Sequence, residues 1–182
     1  MNIPNTLSVS RLVMVPALLL LAWVGTQWIF VSLLVLAFAS DALDGVLARG
    51  LGQTSALGAR LDSLGDFALY MSLPLCAWWL VPEVFLANRW FFAAAALSVF
   101  LPAAVAWGKF RRASSYHTRL VKVAALLNGF SVMLLFAGGP EWPFRLAVPF
   151  GVVAALEEIA ITVALREPRS NVSSLIHVLR TR

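Results

Sequence analysis

The chain has 182 residues, of which 60% are hydrophobic and only 13% are charged, and its formal net charge is +5. A soluble domain usually carries about 25% charged residues, so this composition excludes an ordinary water-exposed surface and indicates a membrane protein. The basic residues lie in short connections between apolar runs, which favours membrane orientation and contact with anionic lipid over nucleic-acid binding.

The apolar runs follow one another as six predicted helices, each close to the roughly 20 residues that a helix needs to cross a bilayer. In chain order they cover residues 8–25, 28–48, 57–81, 89–109, 119–138 and 144–166. Turn-forming residues separate them at 25–27, 50–55, 82–83, 111–118 and 138–140. We therefore expect an all-α integral membrane protein that forms a single domain over residues 1–182, with a polar C-terminal tail at 167–182.

The distribution of basic residues predicts the orientation. An even number of spans places both termini on the same side of the membrane. If that side is the cytoplasm, twelve of the 14 Lys and Arg residues are inside, and only Arg89 and Arg145 are outside. This bias predicts six transmembrane helices with cytoplasmic N and C termini. Residues 1–10 show neither a basic segment nor a cleavage site, so we expect no removable signal.

Four of the nine acidic residues fall within one stretch of 26 residues: Asp41, Asp44, Asp62 and Asp66. The first two are three residues apart and the last two are four apart, so each pair lies on one face of its predicted helix. The segment 50–55 breaks the helix between the pairs. Two helices joined by a short connection can face each other, and we expect the four carboxylates to converge.

This concentration of charge predicts a metal site. Charged groups near lipid are costly and are normally paired or face a wet cavity. Only Arg49 and Arg60 are close in sequence, and two cations cannot neutralise four carboxylates, whereas two divalent cations such as Mg²⁺ or Mn²⁺ can. Gly45, Ala48 and Gly58 lie on the same helix faces, where small residues let a ligand approach the backbone.

Three other interpretations of the aspartates stay open at this point. They are a solvated hairpin at the membrane surface, a cation pathway in a transporter, and an intramembrane prenyltransferase. A prenyltransferase also uses aspartates and Mg²⁺ on a diphosphate, but two aspartate-rich segments far apart are expected there. This chain has one compact motif.

The spacing of the motif resembles a known family. The pattern D-x2-D-G-x2-A-R-x8-G-x3-D-x3-D, over residues 41–66, matches all eight fixed positions of the CDP-alcohol phosphatidyltransferase signature. The segment N-I-P-N-x2-S-x2-R, over residues 2–11, resembles the N-terminal segment of bacterial phosphatidylglycerophosphate synthases. There position 8 is usually threonine, and serine keeps the hydroxyl.

The resemblance implies transfer of a phosphatidyl group from CDP-diacylglycerol to a small alcohol, with release of CMP. It implies that four aspartates hold two divalent cations, Mg²⁺ or Mn²⁺: Asp41, Asp44, Asp62 and Asp66. Asp66 would also be the catalytic general base. The CDP-binding residues would be Asn5, Ser8, Gly45, Ala48, Arg49 and Gly58. It further implies a homodimer in the plasma (inner) membrane, with the active site facing the cytoplasm.

The connection before the fifth predicted helix is the most basic part of the chain. It contains Lys109, Arg111, Arg112, His117, Arg119 and Lys122. These residues either orient the protein or bind the phosphate of an acceptor alcohol, in which case the contacts come from Arg111, Arg112, Arg119 and Lys122. Together with the N-terminal segment, the second interpretation favours glycerol 3-phosphate as acceptor, and leaves an inositol phosphate or serine as alternatives.

Two consecutive acids, Glu157 and Glu158, lie inside the sixth predicted helix. Neighbouring residues of a helix point about 100° apart, so the two cannot share one partner position. We expect them to pair with a basic residue of another helix or to lie near the cytoplasmic end. A part in the acceptor cavity or in a dimer contact is the alternative.

Overall fold

The computed structural model describes the backbone of residues 3–50, 56–111, 116, 118–165, 167, 172 and 174, and side chains from residue 12 onward except 41–62. Within these residues the chain is helical and contains no strand, which confirms the all-α prediction. The helices are α1 (Ile3–Val24), α2 (Gln27–Gly50), α3 (Ala56–Leu80), α4 (Pro82–Ala87), α5 (Arg89–Phe110), α6 (Arg119–Phe136) and α7 (Trp142–Ala164). The chain forms two compact units, Met1–Ala87 with Phe136–Gly139, and Asn88–Leu135 with Pro140–Arg182.

Two differences from the prediction exceed one or two residues at a helix end, and proline explains both. α1 begins at Ile3 rather than at residue 8, because Pro4 in a first helical turn costs no hydrogen bond. The turn predicted at 82–83 is wrong, since these residues begin the six-residue helix α4. Pro82 takes the first helical position, which its fixed φ suits, and Glu83 adds a negative charge to the first turn.

The turn predicted at 138–140 is confirmed, and the turn predicted at 25–27 is confirmed at Gly25 and Thr26, since Gln27 already begins α2. Gly25 and Gly138 have φ values of 79° and 81°, a left-handed conformation that glycine adopts without steric cost. After Gly25 the chain reverses so sharply that the Thr26 N–H still donates to Leu21 O, at 3.1 Å, while α2 already begins at Gln27.

In the first unit, α1 packs against both α2 and α3. The Trp23 and Trp79 rings meet edge to face, with centroids 5.1 Å apart, near the C-terminal ends of α1 and α3. These two helices therefore run in the same direction, and α2 runs opposite to both. The core includes five side chains that are at most 2% exposed: Leu18, Phe30, Leu34, Leu69 and Cys76.

In the second unit, α5 and α7 run parallel and are joined near both ends. Asn88 Nδ2, just before α5, donates to Glu141 Oε2, just before α7, at 2.8 Å. At the other end, Lys109 Nζ donates to Thr162 O at 3.0 Å. α6 runs antiparallel to α7, and the Asn128 amide joins the two in the middle by donating to Ala147 O at 3.0 Å.

Three of the described helices, α5, α6 and α7, are long and apolar enough to cross a membrane. The 22 residues of α5 span about 33 Å, which matches the hydrocarbon thickness of a bilayer. Large apolar side chains point outward, among them Trp90, Leu126 and Phe130 at 65–75% exposure, as expected for contact with lipid. Shorter apolar helical segments lie at Leu12–Val24 and Gln27–Ser40. The count of six spans and the orientation stay predictions.

Candidate active site

The four motif aspartates lie on helical backbone, as their spacing predicted. Asp41 and Asp44 lie in the C-terminal part of α2, and Asp62 and Asp66 lie in the N-terminal part of α3. In a helix with 3.6 residues per turn, spacings of three and four place each pair on one helix face. The two aspartate-bearing segments flank residues 51–55, which lie outside the described part of the chain.

An aromatic contact joins α2 and α3 next to these two segments. The rings of Phe38 in α2 and Tyr70 in α3 meet with centroids 5.8 Å apart. Asp41 is three residues beyond Phe38 and Asp66 is four before Tyr70, which is about 4.5 and 6 Å along the helix axes.

The other two aspartates, Asp44 and Asp62, lie farther from the ring contact in the same direction. Asp44 is six residues beyond Phe38 and Asp62 is eight before Tyr70, or about 9 and 12 Å along the axes. Because α2 and α3 are antiparallel, all four aspartate positions lie on the same side of the ring contact along the helix axes.

Asp66 is the motif aspartate whose side chain the structure describes. It is half-buried, follows the buried Gly65 and precedes the buried Leu69 by three residues. The predicted CDP-binding residues lie on α1, α2 and α3, but their side chains are outside the described set: Asn5, Ser8, Gly45, Ala48, Arg49 and Gly58.

The donor set fits a divalent metal in its chemistry. Carboxylate oxygens on two facing helices are the ligands that Mg²⁺ and Mn²⁺ prefer, together with substrate phosphates. Among the side chains that the structure describes, no three Asp, Glu, His or Cys residues lie close enough to hold a metal ion. Asp41, Asp44 and Asp62 do not belong to that described set.

The predicted acceptor residues lie around the start of α6. Arg119 and Lys122 occupy the first turn, three residues apart on one face, and both are exposed. Arg111 ends α5 in a left-handed conformation, with φ 54°, and is exposed. Arg112 and His117 lie outside the described residues.

Lys109, which the sequence placed in this basic connection, has a structural contact. Its ammonium group donates to Thr162 O at 3.0 Å and to Val163 O at 2.9 Å. Both carbonyls belong to the last turn of α7, where the backbone oxygens lack helical partners and the helix dipole is negative. Lys109 therefore caps α7 from the neighbouring helix.

Two residues that the sequence analysis did not single out anchor the chain before α6. Thr118 is fully buried, and its hydroxyl donates to Glu157 Oε2 at 2.8 Å while it accepts the Val121 N–H at 3.2 Å. Tyr116 is 1% exposed, and its hydroxyl is hydrogen-bonded to Thr162 Oγ1 at 3.0 Å. The signal in the sequence is a threonine directly before an apolar helical run, the usual position of a helix N-cap.

The two consecutive acids of α7 face this anchor. Glu157 accepts the Thr118 hydroxyl, and the Glu158 carboxylate interacts electrostatically with the backbone of Tyr116. Both acids therefore lie near the end of α7 and contact the α5–α6 connection. The sequence analysis expected these acids to pair with a basic residue of another helix or to lie near the cytoplasmic end, and it did not predict the threonine partner of Glu157.

The family model described as CDP-alcohol phosphatidyltransferase matches residues 1–164. This match covers most of the chain, and the helices and the motif spacing agree with it. The chain therefore belongs to the CDP-alcohol phosphatidyltransferase family.

Three similar proteins match it over shorter segments. A CDP-diacylglycerol–glycerol-3-phosphate 3-phosphatidyltransferase of Pseudomonas fluorescens is 41% identical over 69 residues, which are 36% of this chain and 35% of the relative. A protein of the same name from Aquifex aeolicus is 43% identical over 68 residues, 36% of this chain and 37% of the relative. A Mycobacterium bovis protein provisionally named a cardiolipin synthase is 37% identical over 90 residues, 44% of this chain and 43% of the relative. The matched segments thus span less than half the length of each of these relatives.

Proposed function

We propose that this protein is an integral membrane enzyme of phospholipid biosynthesis that transfers a phosphatidyl group from CDP-diacylglycerol to glycerol 3-phosphate and releases CMP. The observation that carries the proposal is the ring contact between Phe38 of α2 and Tyr70 of α3, since these two helices carry the motif aspartates. Membership of the family supports the reaction class, and the names of the Pseudomonas and Aquifex relatives support the acceptor.

In this proposal, the aspartates bind two divalent cations, Mg²⁺ or Mn²⁺, between α2 and α3: Asp41, Asp44, Asp62 and Asp66. When bound, the cations would offset the negative charge of the CDP-diacylglycerol diphosphate. The CDP pocket would be formed by Asn5, Ser8, Gly45, Ala48, Arg49 and Gly58. The small residues among them would let the nucleotide approach the helix backbone.

The transfer itself needs a base and a positioned acceptor. The acceptor hydroxyl attacks the phosphorus that carries diacylglycerol, and Asp66 takes its proton. A new oxygen–phosphorus bond forms, while the bond from that phosphorus to CMP breaks and CMP leaves with the electron pair. Asp66 is half-buried and is the last motif aspartate along α3. We assign it as the base that meets the acceptor hydroxyl.

The start of α6 supports a phosphorylated acceptor. Arg119 and Lys122 are exposed on its first turn, where the positive end of the helix also attracts an anion. Arg111 and Arg112 would contribute from the same connection. Serine has no phosphate for these cations to bind, so we favour glycerol 3-phosphate over serine. The name of the mycobacterial relative suggests cardiolipin as a second candidate product.

One experiment tests the reaction and the acceptor together. The purified protein is incubated with CDP-diacylglycerol, Mg²⁺ and a panel of glycerol 3-phosphate, an inositol phosphate, serine and phosphatidylglycerol, and the lipid products are identified by mass. We expect phosphatidylglycerophosphate and CMP. Another lipid product would reassign the acceptor, and cation flux in liposomes without any product would support the transporter alternative.

The arrangement in the membrane is part of the same proposal. We propose one domain over residues 1–182 with six spans, both termini and the active site facing the cytoplasm, in the plasma (inner) membrane, and assembly as a homodimer. The charge bias and the family resemblance support it. Labelling of single introduced cysteines from each side of the membrane tests the orientation, and the mass of the detergent-solubilised particle tests the dimer.

A further inference from the structure

The geometry points to Glu157 as a positioning residue for acceptor binding, because through Thr118 it holds the first turn of α6, which carries Arg119 and Lys122. This inference rests on the proposed function, since it concerns the acceptor phosphate that these two cations would bind. Glu157 itself would not touch the acceptor.

The hydrogen bonds of Thr118 show how the carboxylate acts. A threonine hydroxyl has one proton and two lone pairs. The proton goes to Glu157 Oε2 at 2.8 Å, and a lone pair accepts the Val121 N–H at 3.2 Å. An ionised carboxylate only accepts hydrogen bonds, so Glu157 fixes the direction of the hydroxyl and keeps a lone pair facing Val121. Glu157 of α7 thereby fixes the side chain of Thr118, the N-cap of α6.

A second set of contacts fixes Tyr116, which lies two residues before Thr118. The Tyr116 hydroxyl is hydrogen-bonded to Thr162 Oγ1 at 3.0 Å. The Tyr116 ring is buried in an apolar cluster with Ile161 and Leu165 of the α7 end. The chain is therefore held on α7 immediately before α6 begins, and the position of the first α6 turn depends on these contacts.

The charges explain why such an anchor is needed. Arg119 and Lys122 are cations at the positive end of a helix dipole, and the first turn of α6 contains no acidic residue. These cations therefore repel the helix end that carries them. Glu157 supplies a negative charge to that end from the neighbouring helix, behind the buried Thr118, and leaves the two cations exposed. A phosphate would then meet them from the other side.

Three variants and a matched control test this inference. Glu157→Leu removes the carboxylate, Thr118→Val removes the hydroxyl, and Thr118→Ser keeps it. Glu141→Leu is the control, because Glu141 also accepts hydrogen bonds in this unit, but at the opposite end of α7. Hydrogen–deuterium exchange of the 119–122 amides reports the helix start without any substrate. KM values for glycerol 3-phosphate and CDP-diacylglycerol report its effect on binding.

We expect Glu157→Leu and Thr118→Val to speed amide exchange at the start of α6. Both variants should also raise the KM for glycerol 3-phosphate by about fivefold or more, which is the factor expected from the loss of one helix cap. The KM for CDP-diacylglycerol should stay near that of the unchanged protein, and Thr118→Ser should behave as the unchanged protein does.

Unchanged exchange in Glu157→Leu would overturn the inference, as would faster exchange with no rise in the acceptor KM. The same changes in Glu141→Leu would show a general loss of stability and would overturn it as well. If the unchanged protein forms no product with glycerol 3-phosphate, the proposed function fails by itself. The exchange measurement then still decides whether Glu157 holds α6, and the KM is measured for the alcohol that the acceptor panel identifies.

Discussion

Replacing Gly151 with alanine tests how closely α7 packs against α6. A Cβ added at Gly151 would lie 3.2 Å from Asn128 Nδ2, closer than nine in ten such contacts in proteins, and 3.5 Å from Ser98 Oγ. The Asn128 amide has two protons, which it donates to Ala124 O at 2.9 Å and to Ala147 O at 3.0 Å. The amide therefore cannot move away without weakening at least one of these hydrogen bonds.

The expected size of the effect follows from two opposing terms. Alanine is favoured over glycine in a helix interior by about 0.8–1 kcal/mol. A hydrogen bond between membrane helices contributes about 0.6 kcal/mol on average and about 1.7 kcal/mol at most. In Gly151→Ala the two terms nearly cancel. In the comparison variant Gly108→Ala, in the last turn of α5, the new Cβ meets nothing within 4 Å, so no close contact opposes the gain.

The assay compares melting temperatures of the purified variants in one detergent. A difference of about 1 kcal/mol corresponds to roughly 2–4 °C for a chain of this size, and we expect Gly151→Ala to melt below Gly108→Ala by that amount. In an Asn128→Ala background the close contact is gone, and Gly151→Ala should then stabilise as Gly108→Ala does. Equal stabilisation by both variants with Asn128 present would refute the close packing, and so would a difference that persists without Asn128.

Three further predictions concern the proposed reaction. Activity should disappear in EDTA and return with Mg²⁺ or Mn²⁺. Asp41→Ala or Asp62→Ala should abolish turnover while leaving the melting temperature nearly unchanged. Full activity after exhaustive dialysis against EDTA would contradict the metal assignment. Arg119→Gln or Lys122→Gln should raise the acceptor KM about tenfold to hundredfold, since a charge-assisted contact contributes about 1.5–3 kcal/mol; equal rises for both substrates would indicate a structural role instead. Asp66→Asn should bind CDP-diacylglycerol normally but lose about 10²–10⁴-fold in single-turnover rate; loss of binding together with rate would make Asp66 mainly a metal ligand.

The helices could be predicted from the sequence because long apolar runs and helical spacing are local signals. The start of α6 at Arg119 and the turn at Gly138 followed from such signals and are confirmed. The aspartate spacing likewise predicted helix faces before any contact was known. α4 was missed because Pro82 stops a helix and also begins one, and only the following residues decide which.

The anchors of the basic connection could not be predicted in the same way. Thr118 and Glu157 are 39 residues apart, and their contact depends on how α6 packs on α7, which apolar side chains on both helices determine. Lys109 looked like one more orienting or phosphate-binding cation, yet its ammonium group caps the end of α7. Hydropathy and spacing contain no signal that separates such a structural cation from Arg119.

The most direct test of the proposed reaction measures CMP and new lipid in the same mixture. The purified protein is given CDP-diacylglycerol and Mg²⁺, with and without glycerol 3-phosphate, and both products are quantified over time. We expect one CMP for each phosphatidylglycerophosphate formed, and neither product when the alcohol is left out. CMP released at the same rate without the alcohol, or no lipid product with any alcohol of the panel, would contradict a phosphatidyl transfer.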